Sequence, residues 1–256
     1  MKKLVLSVVA CATLAAAPAL AADMPVKAPV APVATVYNWS GFYTASGVGA
    51  AWWDIHGLLA FNVFELVHNS RGTRFDYGSM VGAQYQWGNV VLGVEAGYNA
   101  LFNKDFASTN APSADCLNNP AFVGLRCSSR VDRIWTFGGR LGLAWDRLMV
   151  FGTGGYANGR IASQTSIPAL GQILDQTDAR HRGSYYGVGF EYFVTKFLFS
   201  DLILGAEYQH INLRTGLDIS SDGNPNDNRY YRASVDIVRA RAVFKWTPAA
   251  AVVASY

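Results

Sequence analysis

Six charged residues pose the first chemical question. Glu95, Glu191 and Glu207 each stand inside an apolar stretch, as in GVGFEYF around Glu191 and LILGAEY around Glu207, and Arg140, Arg239 and Arg241 sit in similar surroundings. Carboxylates gathered at one place can divide general-acid and general-base work between them. The same carboxylates facing arginines form a structural ion network that needs no substrate. The histidines add little to the first reading: His56, His68 and His181 are read in loops, and His210 near the outer end of a strand. A His-x-Ser pair would suit lipid deacylation, but position 212 is Asn212 and no activated nucleophile stands beside it. The segment SSDGNPNDNR at 220–229 has the Asp and Asn density of a calcium loop without its liganding glutamate, and reads as a polar loop. No cofactor and no metal site are expected.

The N-terminus, MKKLVLSVVACATLAAAPALAAD, has a basic start, an apolar run and a small-x-small cleavage site at Ala19-Leu20-Ala21. This is the pattern of a secretory signal peptide, assigned to 1–21, with Cys11 inside its apolar run. Losing Lys2 and Lys3 takes the 21 basic residues to 19, against 18 acidic ones, so the charge is no argument for nucleic acid. Cys116 and Cys127 remain in the mature chain, in a polar segment and an oxidising compartment, and are expected to form a disulfide. Residues 22–38 are proline-rich and read as an extended linker, and 247–256 as a C-terminal tail.

Between these ends, over 39–246, the dominant signal is alternation with period two. Phe75, Tyr77, Val81, Ala83, Tyr85 and Trp87 share one face of a strand, with Gly78, Met80, Gly82, Gln84 and Gln86 on the other. The same division sets Val90, Leu92 and Val94 against Gly93, Glu95 and Asn99, and Trp135, Phe137 and Leu141 against Gly138 and Arg140. It recurs with Val188, Phe190 and Tyr192 against Gly189 and Glu191, and with Val238 and Phe244 against Arg239 and Arg241. Eight strands of roughly 13 to 17 residues result. Their connections alternate between short turns and the long segments 54–70, 104–130, 161–181 and 215–230, which read as polar loops.

An even number of antiparallel strands with loops segregated by length is the pattern of an outer-membrane barrel. The expected fold is therefore all-β: an eight-stranded antiparallel transmembrane β-barrel with short periplasmic turns and long extracellular loops. Trp39, Trp87, Trp145 and Trp246 fall near one rim and Trp52, Trp53 and Trp135 near the other, so all seven are assigned to aromatic girdles at the two interfaces. With the apolar faces on lipid, Glu95, Arg140, Glu191, Glu207, Arg239 and Arg241 face the lumen. An eight-stranded barrel is just wide enough for side chains to fill it.

The motifs WSGFY at 39–43, GGRLGLAWDR at 138–147, GTGGYA at 152–157, GVGFEY at 187–192 and GAEYQH at 205–210, in this order, resemble the small porin-like outer-membrane β-barrel family of alphaproteobacteria, the outer-membrane immunogenic proteins. The resemblance implies an outer-membrane location, an eight-stranded fold and exposed loops; outer-membrane lipid and lipopolysaccharide are the expected surroundings and the barrel-assembly machinery the expected partner. With no catalytic constellation and a lumen lined by charges, the expected function is a non-enzymatic role in envelope integrity and loop display or, as the alternative, a narrow porin-like channel for ions or small solutes. Family chains commonly end at the aromatic closing the last strand, here Trp246, and TPAAAVVASY departs from that. External protease on intact cells should cut within 104–130 or 215–230; cutting confined to the proline-rich linker would overturn this orientation.

Overall fold

The computed structural model describes residues 37–61, 64–102, 126–219 and 228–247. The expected signal peptide, nearly all of the linker and most of the tail lie outside the described residues, as do Cys116 and the side chain of Cys127.

Period-two alternation becomes eight strands: β1 (Gly41–Phe61), β2 (Phe64–Trp87), β3 (Val90–Phe102), β4 (Arg126–Trp145), β5 (Leu148–Ile167), β6 (Gln172–Phe197), β7 (Ser200–Ile219) and β8 (Asn228–Trp246). Each pairs antiparallel with its chain neighbours, and β8 returns to β1 to close the barrel. Closure leaves no strand edge to be satisfied by water, which is what a bilayer demands of a sheet. The outward residues include Phe75, Val81, Leu92, Val94, Phe137, Leu141, Val188 and Phe190, all large, apolar and exposed. So wide an apolar exterior matches a lipid-facing surface.

Two of the segments read as loops are strand. β1 and β2 stay paired up to Phe61↔Phe64, and β5 and β6 up to Ile167↔Gln172, across a short 3-10 turn at Pro168–Leu170. Segments 54–70 and 161–181 are therefore mainly extended hairpin arms. About 9 to 11 residues cross a bilayer, whereas β2 has 24 and β6 has 26. Such lengths carry the ladder past the membrane, where the outer face meets water and polar residues break the alternation.

The short turns Gly88-Asn89, Asp146-Arg147 and Leu198-Phe199 each begin with a left-handed residue, at φ 60, 49 and 54. Glycine and aspartate suit that conformation, whereas Leu198 is strained in it. Next to Leu198, the β6–β7 pairing slips between Phe193 and Thr195.

Glycine on the inward face makes room for large partners. A Cβ at Gly82 would lie 2.3 Å from the Tyr43 ring, and one at Gly78 2.0 Å from the Arg239 guanidinium. On the outward face, a Cβ at Gly139 would meet nothing within 4 Å. Gly82→Ala should therefore destabilise the barrel by about 1–3 kcal/mol through overpacking, and Gly139→Ala by less than about 0.5 kcal/mol. Urea unfolding in lipid vesicles would measure both, and equal effects would contradict this account of the lumen.

Candidate functional site: the barrel lumen

The closed ladder points β3, β4, β6, β7 and β8 at one interior, and the charges on their inward faces meet there. Arg241 is the hub. Its Nη1 donates to Glu207 Oε2 and its Nη2 to Glu95 Oε2, both at 2.8 Å, and its Nε lies 3.5 Å from Glu191 Oε1. Arg140 Nη2 approaches Glu191 Oε2 at 2.7 Å and its Nη1 lies 3.7 Å from Glu95. The shorter contact is off the line of a hydrogen bond, so charge holds the pair, helped by the Phe151 ring 3.8 Å under the guanidinium. Arg239 donates to Asn99 Oδ1 and Gln209 Oε1, both at 2.5 Å, and lies 3.6 Å from Glu207 and from Asp76.

Four partners were missed by sequence reasoning. Asp76 is fully buried on β2, on the same inward parity as Gly78 and Met80. That parity was the available signal. Tyr43 donates its hydroxyl to Glu95 at 2.9 Å, and Gln209 its amide to Glu207 at 2.9 Å. Arg74, also buried on β2, stands over the Trp53 ring. With it, the described interior holds four arginines at 74, 140, 239 and 241, against carboxylates at 76, 95, 191 and 207.

Apolar layers lie on both sides of these charges. Toward the long-loop end come Ile134, Ile161, Ile211, Leu213, Val235 and Ile237; toward the short-turn end come Met149, Phe151, Ile203 and Val243. Farther toward the long-loop end, Ser163 hydrogen-bonds Ser129 and Tyr231, each at 2.9 Å. His181 is inward-facing and buried on β6, a strand residue where a loop residue is expected. His56 also lies on a strand, β1, but exposed. His210 pairs with Asp236 at 2.7 Å on the outward face; the side chain of His68 is outside the described residues.

The short-turn end is closed by residues 37–40. Trp39 donates its indole N–H to the Asp146 carbonyl at 2.9 Å and its backbone N–H to Gln86 at 2.7 Å. Tyr37 stacks on Phe193 and donates its hydroxyl to Asp201 at 2.7 Å. Burial, and then that bond to a carboxylate, push the Tyr37 hydroxyl well above the usual tyrosine range, so it remains a donor. Lys245 ties the Asn38 carbonyl, at 2.7 Å, to Asp201, at 3.2 Å.

The tryptophan assignment needs two corrections. Trp52, Trp87, Trp135, Trp145 and Trp246 point outward and are exposed, but Trp39 is 0% and Trp53 3% exposed. Trp53 follows Trp52 on one strand, so alternation turns it inward, into space left by Gly72. Trp39 precedes β1 and folds beneath the barrel. Among the described residues, no three His, Cys, Asp or Glu side chains are grouped to hold a metal.

The sequence profile of the outer membrane protein beta-barrel domain matches residues 7–236. The chain belongs to that family. It is a protein of the cell outer membrane, so the short turns are periplasmic and the long arms extracellular. This outer-membrane barrel is similar to the 31 kDa outer-membrane immunogenic protein of Brucella melitensis, with 30% identity over 228 residues, covering 83% of this chain and 88% of that protein. The protein of the same name from Brucella suis matches to the same extent. Among solved structures, Neisserial surface protein A is 14% identical and covers 81% of this chain and 98% of its own, at a TM-score of 0.34, too loose a likeness to carry an argument.

Removing Arg241 would leave three buried carboxylates short of their shared partner. Arg241→Ala should therefore cost about 3–5 kcal/mol, and adding Glu207→Gln should restore part of the loss. Urea midpoints for the two variants test this, and an unchanged midpoint for Arg241→Ala would remove the network as a source of stability.

Proposed function

We propose that the protein is a non-enzymatic outer-membrane barrel whose lumen is plugged, contributing to envelope integrity and carrying its extracellular arms and loops as a surface antigen. The observation that supports this reading is the succession of buried side chains along the interior, from Tyr37 and Trp39 through the Arg241 network to the isoleucine-rich layer. A pore needs a wet, continuous path, and an eight-stranded barrel filled across its width leaves little room for one. The antigenic role is supported by the immunogenic protein of Brucella melitensis, with which the chain shares 30% identity. In this reading the surrounding partners are outer-membrane lipid and lipopolysaccharide, and the barrel-assembly machinery inserts the chain. Cys116 and Cys127 belong to the displayed surface as a disulfide.

Planar-bilayer recording of the purified, refolded protein tests the plug. The unmutated protein should show no discrete, stable openings, and Arg140→Ala should raise ion leakage while lowering thermal stability. A large stable conductance in the unmutated protein would overturn the proposal in favour of a channel.

A further inference from the structure

Four arginines stand on the outward face of three consecutive strands at the extracellular end: Arg133 on β4, Arg160 on β5, and Arg180 and Arg182 on β6. Their neighbours Ile134, Ile161 and His181 are buried inward, so alternation fixes the arginines on the outside. Arg133 is in register with Arg160, and Arg160 with Arg180, so three guanidinium groups stand in one row across the ladder. Like charges directly opposite one another on a sheet repel. Asp178 offsets one of them, taking both Nε and Nη2 of Arg160. Among the described residues, Arg133, Arg180 and Arg182 have no carboxylate partner.

The row lines a cleft of about 500 Å³ bounded by Arg133, Trp135, Asn158, Arg160, Asp178 and Arg180. Trp135 is an exposed girdle residue whose ring packs 4.6 Å from Tyr98, and Phe137 and Leu141 continue the same outward face into the apolar band. The cleft thus sits where the hydrocarbon gives way to head groups, with cations above an aromatic ring and an acyl-compatible surface below. We propose that this cleft binds the phosphorylated saccharide head group of an outer-leaflet glycolipid. Arg133 and Arg180 present guanidinium forks that match phosphate oxygens, and Asn158 and Asp178 face the saccharide hydroxyls. A free anion would use only the upper half of this surface. A glycolipid uses both, placing phosphate in the arginine row and acyl chains along Phe137 and Leu141.

The test uses the full mature protein refolded into phosphatidylcholine nanodiscs, with heat-modifiable gel migration as the check of folding. Binding of lipopolysaccharide, of the same lipopolysaccharide after dephosphorylation, and of inorganic phosphate would be compared for the unmutated protein, Arg133→Ala/Arg180→Ala and Arg71→Ala. Intact lipopolysaccharide should bind the double variant about tenfold or more weakly. Arg71→Ala, on β2 and already paired with Asp54, should bind as the unmutated protein does. Dephosphorylation should erase the difference between the double variant and the unmutated protein. Equal binding by the double variant, equal binding of the dephosphorylated lipid, an equal loss in Arg71→Ala, or displacement by stoichiometric inorganic phosphate would each overturn the proposal. Should the double variant not fold, the exposed Arg180→Ala alone carries the same comparison.

Discussion

Within a bilayer a strand edge finds no water to bond with, so β1 and β8 have to find each other, and their pairing runs from Phe42↔Trp246 to Ala60↔Asn228. That contact fixes the number of strands and with it the width of the interior. Every inward side chain must then fit among those of seven other strands, in a space with no room for slack. Glycine therefore recurs on the inner face beside tyrosine, tryptophan and arginine. Gly82 beside Tyr43 and Gly72 beside Trp53 are positions where even a methyl group would collide.

Such a width also decides how charges can be tolerated. A buried arginine is costly unless its partners are arranged to meet it, and closure brings Glu95 of β3, Glu191 of β6 and Glu207 of β7 round one guanidinium of β8. Apolar layers pack on both sides of this assembly. Packing and electrostatics are thus joined. Apolar neighbours lower the local dielectric and so strengthen ion pairs, and the ion pairs let a polar inner face exist on strands whose outer face meets lipid.

Much of the barrel was legible in the sequence because each membrane-crossing strand has two unlike solvents, and parity records them residue by residue. The inward charges at 95, 140, 191, 207, 239 and 241 could be read in this way, but their pairing could not, since strand stagger decides which arginine meets which glutamate. Legibility failed where the two solvents become alike. Beyond the bilayer both faces accept polar residues, so the arms in 54–70 and 161–181 looked like loops. Tryptophan misled for a different reason. Its affinity for interfaces is a tendency, whereas the alternation separating Trp52 from Trp53 is geometry, and geometry put Trp53 inside. Asp76 has inward parity but stands between the outward rings of Phe75 and Tyr77 near the end of the apolar pattern, where the alternation is weakest as a signal.

The stopper at residues 37–40 has a consequence for assembly. Its bonds reach Gln86 at the end of β2, Asp146 between β4 and β5, Asp201 at the start of β7 and Lys245 near the end of β8. These anchors are separated by most of the chain and come together only when the ring is complete. The segment translated immediately before the first strand thus depends for its place on strands from both ends of the chain. Its full set of bonds therefore requires the complete wall, because no single hairpin carries all of the anchors.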